Sequence, residues 1–120
     1  MSKTLLLVDD EANILKALQR IFLPLGYRVL TAESGEAGLA VLENEPVDLV
    51  ISDMRMPGMN GHQFLKQVRS KYPMTMRAIL SGFSEGKDVV NALRDGSARM
   101  YILKPWDNEK LVAEIGKLLQ

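Results

Sequence analysis

Asp48-Leu49-Val50-Ile51-Ser52-Asp53-Met54-Arg55-Met56-Pro57-Gly58 is the stretch that sets the fold. Leu49, Val50 and Ile51 form a short, unbroken apolar run of the kind found in strands buried on both faces of a parallel sheet. Residues Asp48 to Ser52 read as that strand, with Asp53 at its carboxyl end. The Pro, Gly and Asn content of Met54 to Gly61 then marks a loop. In open α/β sheets, ligands bind just outside the carboxyl ends of the strands, so Asp53 stands where chemistry is expected.

The same alternation recurs on either side. Upstream, Leu5-Leu6-Leu7-Val8 is an apolar run that stops at Asp9-Asp10. Ile14, Leu15, Leu18, Ile21, Phe22 and Leu25 follow as a helical stripe, ended by Pro24 and Gly26. Arg28 to Ala32 reads as a strand; Ser34 caps a helix to about Asn44, with Leu39, Val41 and Leu42 inward, and Pro46 stops it. Downstream, Phe64, Leu65 and Val68 predict a helix ending near Tyr72-Pro73, and Ala78 to Ser81 a strand. A helix from roughly Glu85 to Arg94 ends at Asp95-Gly96; Met100 to Leu103 is a strand closed by Lys104-Pro105, and Asp107 caps a last helix carrying Leu111, Val112, Ile115, Leu118 and Leu119. Strand and helix thus alternate five times, which right-handed crossovers turn into a parallel sheet with helices on both faces.

A chain of 120 residues fits one domain, with 47% apolar and 25% charged residues. Fifteen basic and fifteen acidic residues balance to zero, without the basic excess of a domain that binds nucleic acid directly. The absence of cysteine excludes disulfides and thiolate chemistry. No apolar run approaches a membrane span, and Met1-Ser2-Lys3 leads straight into the first strand; no membrane association and a cytoplasmic location are expected. A chain that stops as its fifth helix ends suits a free-standing domain or a piece of a longer protein.

Asp9, Asp10 and Glu11 follow the first strand, Asp53 the third, Ser81 the fourth and Lys104 the fifth. Hard oxygen ligands of this kind suit Mg²⁺, and phosphoryl transfer needs chiefly positioning and charge neutralisation. Asp is an established covalent nucleophile. Each residue also has a plainer role open to it. Asp9 and Asp10 could cap the first helix, Asp53 could start a turn, Ser81 could be a strand-end hydroxyl and Lys104 a solvated charge. Their joint placement at the ends of four strands favours a site.

On Val8-Asp9-Asp10-Glu11, Asp53 through Gly61, and Lys104-Pro105, the whole chain resembles the receiver domains of two-component response regulators. The resemblance implies a flavodoxin-like (βα)₅ fold with strand order 2-1-3-4-5, and residues 1–120 as one phospho-acceptor domain. It implies that Asp53 takes a phosphoryl group from a sensor histidine kinase or histidine phosphotransfer protein, a switch and not an enzyme acting on other molecules. Asp10, Asp53 and the Arg55 carbonyl oxygen would ligate Mg²⁺, or Mn²⁺ in its place, with Asp9 acting through water. Ser81, the Gly82 N–H and Lys104 would meet phosphoryl oxygens, across from a cis Lys104–Pro105 peptide. Ser81 and Tyr101 would form the switch, and the fourth helix, fifth strand and fifth helix the surface that controls an output domain or effector, or a phosphorylation-dependent dimer. Tyr101 could equally be a packed edge aromatic.

Gly82 departs from the alanine common in such domains. In such domains the positions of Arg55 and Phe83, each two residues past a site residue, flank the route of hydrolytic water, so the resemblance implies a slowly decaying aspartyl phosphate. Trp106 is expected to pack beneath the last helix, and His62 to be a surface residue. In similar receivers Lys-Pro-Trp accompanies cyclic-dinucleotide or kinase outputs more than winged-helix DNA-binding ones, and residues 96–101 lack the paired aspartates of the winged-helix subgroup. Two other classes fit less well. Dehalogenase-type phosphatases need a second Asp where Arg55 stands, and a flavodoxin-like cofactor binder needs a phosphate loop where Asp9-Asp10-Glu11 stands.

Overall fold

Strands and helices alternate through residues 2–82 and 86–120, which the computed structural model describes. In order they are β1 (Thr4–Val8), α1 (Ala12–Phe22), β2 (Arg28–Ala32), α2 (Gly35–Asn44), β3 (Leu49–Asp53), α3 (Gly61–Lys71), β4 (Met76–Ser81), α4 (Gly86–Arg94), β5 (Met100–Leu103) and α5 (Asn108–Leu118). All strand pairs are parallel, in the order β2-β1-β3-β4-β5. The fold is the flavodoxin-like one expected, and the order reverses direction between β1 and β3, which places the switch point beside the ends of those two strands.

The pleat explains why the apolar runs are continuous. Leu6, Val8, Val50 and Ile79 point to one face, where Phe64, Leu65 and Val68 of α3, Leu42 of α2 and Val89 of α4 cover them. Leu5, Leu7, Leu49, Ile51, Ala78, Leu80 and Ile102 point to the other, against Leu15, Leu18 and Phe22 of α1 and Leu111 and Ile115 of α5. A strand sandwiched this way can spare no face for water, so alternation vanishes from its sequence. Burying one such Leu or Val stabilises the fold by about 1.5–3 kcal/mol relative to leaving it exposed.

The helix starts lie where the caps put them. Ser34 Oγ accepts the Ala37 N–H at 3.0 Å, and Asp107 Oδ1 accepts the Lys110 N–H at 2.9 Å. Asn60 and Gln63 form a reciprocal capping box at the head of α3, both bonds 2.9 Å. Neither Asp9 nor Asp10 caps α1, whose N-cap is Glu11 with no side-chain bond.

One expected core residue is displaced. Leu25 does not continue the α1 stripe but is 53% exposed. Pro24, lacking an N–H, tightens the chain into a 3₁₀ turn over Leu23–Leu25, and Gly26 ends it at φ +91°. The start expected for the fourth helix, Glu85, lies outside the described residues, as does Phe83. Trp106 packs against the α1/α5 core as expected, and its indole N–H donates to Asn108 Oδ1 at 2.9 Å.

Candidate functional site

Asp53 is the last residue of β3 and only 3% exposed. Its neighbour across the switch point, Asp9, follows β1 and is 1% exposed, whereas Asp10 points outward. Two adjacent carboxylates that look equivalent in sequence therefore differ, because the chain leaving a strand still alternates sides. Oxygens of Asp9, Asp10 and Asp53 lie within 4.8 Å of one another.

Lys104, just past β5, reaches across this acidic group. Its Nζ is 2.9 Å from Asp53 Oδ1 and 3.7 Å from Asp9 Oδ2. Burial works against the Lys104 charge, but the bond to Asp53 and the charges of Asp53, Asp9 and Glu11 outweigh it and raise its pKa above the ordinary 10.5. Asp9 moves in the opposite sense for an acid. Burial pushes its carboxyl from 3.8 to about 6, with the negative Asp53 adding to the rise; the Glu11 N–H and Lys104 offset part of it. The Glu11 N–H occupies Asp9 Oδ1 at 2.8 Å, and Asp9 Oδ2 is buried without a hydrogen-bond partner among the described residues.

A buried oxygen with no donor, beside two further carboxylates, is a donor set that fits a hard divalent cation. Such an ion neutralises the repulsion that one lysine only partly offsets.

Ser81 ends β4, the strand between β3 and β5, and is 1% exposed, with half-buried Gly82 after it. The Ser81 carbonyl accepts the Lys104 N–H at 2.7 Å, which joins the ends of β4 and β5. Arg55 is exposed in the loop past Asp53. The Lys104–Pro105 peptide is cis. Tyr101 pairs in register with Ile79 and is 49% exposed, turned outward.

Below Asp53 the loop is held from behind. Gly61 N–H donates to the Met54 carbonyl at 2.8 Å, and Met54 N–H to the Leu80 carbonyl at 3.0 Å. His62, expected on the surface, is instead mostly covered, its side chain 21% exposed and its Nε2 2.7 Å from Asp95 Oδ2. The partners are 33 residues apart, so local periodicity could not pair them. The basic spacing His62, Lys66, Arg69 along α3 was the available signal.

A family model described as the response regulator receiver domain matches residues 5–116. The chain belongs to the response-regulator receiver family. Among curated relatives of this receiver, the hydrogenase transcriptional regulatory protein HoxA of Cupriavidus necator is 36% identical over 117 residues, covering 98% of this chain and 24% of HoxA. The transcriptional regulatory protein GlrR of Escherichia coli is 40% identical over 116 residues, covering 97% of this chain and 26% of GlrR. The receiver thus spans about a quarter of the length of these relatives. Among solved structures, an uncharacterized protein from Neptuniibacter caesariensis superposes with a TM-score of 0.95 at 40% identity, covering 98% of this chain and 87% of that one. The chemotaxis response regulator CheY4 of Vibrio cholerae gives 0.87 at 30%, covering 99% and 100%. Among the described residues no helix is long and apolar enough to cross a membrane.

Proposed function

We propose that Asp53 accepts a phosphoryl group from a phosphohistidine on a sensor kinase or phosphotransfer protein, and that the acylphosphate switches the surface of α4, β5 and α5. The observation that carries this is the Lys104 Nζ, 2.9 Å from Asp53 Oδ1 and 3.7 Å from Asp9 Oδ2, beside a group of three carboxylates. A buried carboxylate ready to attack needs its charge tempered by a cation and its position fixed, and both conditions are met.

In the step itself an Asp53 oxygen forms the new O–P bond while the donor's N–P bond breaks. The electron pair stays on the imidazole, which takes up a proton. Asp9, Asp10, Asp53 and the Arg55 carbonyl would hold Mg²⁺, or Mn²⁺ in its place, which supplies charge neutralisation at the transferring oxygens. Lys104 exchanges its bond to Asp53 for one to a phosphoryl oxygen, while the Ser81 hydroxyl and the Gly82 N–H take the others. Ser81 drawn toward the phosphoryl group leaves room on the α4 side of β5, and Tyr101 turns from its outward position into that room. This biases a two-state equilibrium of the output face. Residues 1–120 act as one receiver unit in the cytoplasm, with no turnover beyond the domain's own phosphorylation and dephosphorylation and no direct contact with nucleic acid or membrane. The output is a linked domain or a separate effector, reached in part through a phosphorylation-dependent dimer.

Arg55, exposed in the loop past Asp53, hinders water on its way to the phosphoryl group, so the acylphosphate outlives the seconds scale. Incubation with Mg²⁺ and phosphoramidate or acetyl phosphate, followed by intact mass, tests the proposal. One added phosphoryl mass on the wild type and none on Asp53→Asn is expected; equal labelling of both would overturn it.

A further inference from the structure

His62, Lys66 and Arg69 stand four and three residues apart on α3, hence on one stripe of the helix. All three reach the turn that follows α4. His62 Nε2 is 2.7 Å from Asp95 Oδ2, and Lys66 Nζ is 4.0 Å from the same oxygen. Arg69 Nη1 donates to the Asp95 carbonyl at 2.6 Å. Asp95 Oδ1 in turn accepts the Ser97 N–H at 2.9 Å, and Gly96 turns the chain at φ +80° beneath the Arg69 guanidinium. From β4, Arg77 donates to the Ser97 carbonyl at 2.9 Å and to the Gly96 carbonyl at 3.3 Å.

Burial opposes the Asp95 charge, but the Ser97 groups and His62 overcome it and hold this carboxyl well below the usual range. The anchor therefore stays ionised at neutral pH. At its first turn, where His62 stands, α3 abuts the end of β3. Gly61 lies against the Asp53 carbonyl and bonds the Met54 carbonyl, and His62 is the next residue. One short, rigid helix thus touches the backbone of Asp53 at its first turn and the entrance to β5 through its basic stripe.

We infer that His62 is a positioning residue which, through Asp95, ties the acceptor loop to the turn between α4 and β5, so that filling the Asp53 site is felt at Gly96 and Ser97. This rests on the acceptor role proposed for Asp53. The strap lies on the α3 side of the sheet and gives the output face a second attachment to the site, besides the one through Ser81 and Tyr101. Coupling along the strap is read as a response at one end to filling of the other.

Amide NMR spectra of the full chain supply that response. Mg²⁺ with beryllium fluoride, a tetrahedral stand-in for a phosphoryl group on a carboxylate, is the probe. In the wild type the Met54 and Gly61 amides report filling of the site, and the Gly96 and Ser97 amides shift with them. In His62→Ala the first pair shifts as before, while the Gly96 and Ser97 response falls by about half or more, the behaviour of residues that share one network. His62→Gln, whose amide can still donate to Asp95, restores it, whereas His62→Leu, of similar size but without a donor, does not; a purely space-filling role would have both restore it. Asp95→Asn keeps an oxygen for the Ser97 N–H but removes the charge, and it loses the response even where alanine at 62 unfolds the chain. Undiminished Gly96 and Ser97 shifts in His62→Ala or Asp95→Asn overturn the inference. So do wild-type Gly96 and Ser97 amides that stay still while Met54 and Gly61 move. If Met54 and Gly61 themselves stay still in the wild type, the acceptor reading of Asp53 fails and the strap's role falls with it.

Discussion

Gly61 lies so close against the carbonyl group of Asp53 that a β-carbon on it would overlap the Asp53 oxygen, with Met54 Cα a further 2.9 Å obstacle. The obstructing atoms are backbone, so they cannot rotate aside. The first residue of α3 and the last residue of β3 are thereby set in contact, which fixes the loop on which Arg55 stands.

Replacing Gly61 by alanine weighs two effects against each other. Alanine gains roughly 1 kcal/mol in helix propensity, whereas forcing a methyl into packed backbone costs roughly 1–3 kcal/mol or more. The clash wins, and urea denaturation should show a net loss. Gly116 in α5 has nothing within 4 Å of its would-be β-carbon, so Gly116→Ala should stabilise by about 0.5–1 kcal/mol. A Gly61→Ala protein as stable as Gly116→Ala would show that the contact is not a constraint.

Asn60 begins the helix that Gly61 continues. Its Oδ1 accepts the Gln63 N–H, and Gln63 Oε1 accepts the Asn60 N–H in return. Asn60→Ala removes one of these bonds and should cost about 1 kcal/mol of unfolding free energy. Hydrogen exchange should quicken at Gln63 first; unchanged protection there would rule out the cap as the start of α3.

These two residues show what the sequence made legible. The strands were readable because burial on both faces leaves unbroken apolar runs, and the site edge followed from where those runs stop. Asn60 and Gln63 carry a spacing that marks a helix start, yet Pro57 and Gly58 drew Asn60 into the loop. Leu25 fitted the α1 period but lies past Pro24, whose missing N–H ended the helix first. The split between Asp9, buried, and Asp10, exposed, depends on which way one peptide faces. The bond from His62 to Asp95 depends on the packing of α3 beside α4, which no local pattern records.

Asp9 makes the metal-free protein sensitive to pH. Its pKa is about 6 folded and 3.8 ordinarily, so the folded state binds the proton more tightly. The stabilisation is complete below about 3.8 and is lost as pH rises through about 6, on the order of 2–3 kcal/mol in all. Other carboxylates titrate in the same window, so the quantity to measure is the difference from Asp9→Asn. With a chelator present, urea denaturation should find the variant more stable than wild type at pH 7.5, the gap closing toward pH 4. A gap that stays constant would refute the shift.

Lys104 stabilises the same carboxylates from the other side, and its removal should cost most where they are charged. Lys104→Met leaves buried Asp53 and Asp9 without their nearest cation. Breaking a fully buried pair by deleting one partner costs about 3–5 kcal/mol; with 22% of the Lys104 side chain still open to water, about 1–3 kcal/mol is expected at pH 7.5. The loss should shrink toward pH 4, as protonation of Asp9 removes one of the charges the lysine opposed. Mg²⁺ should recover part of it at pH 7.5, because a divalent ion in the proposed site at Asp9, Asp10 and Asp53 would replace the missing positive charge. Denaturation of wild type and variant at both pH values, with and without Mg²⁺, measures all three effects. An equal loss at pH 7.5 and pH 4 would assign Lys104 a packing role and remove it from the electrostatics of the site.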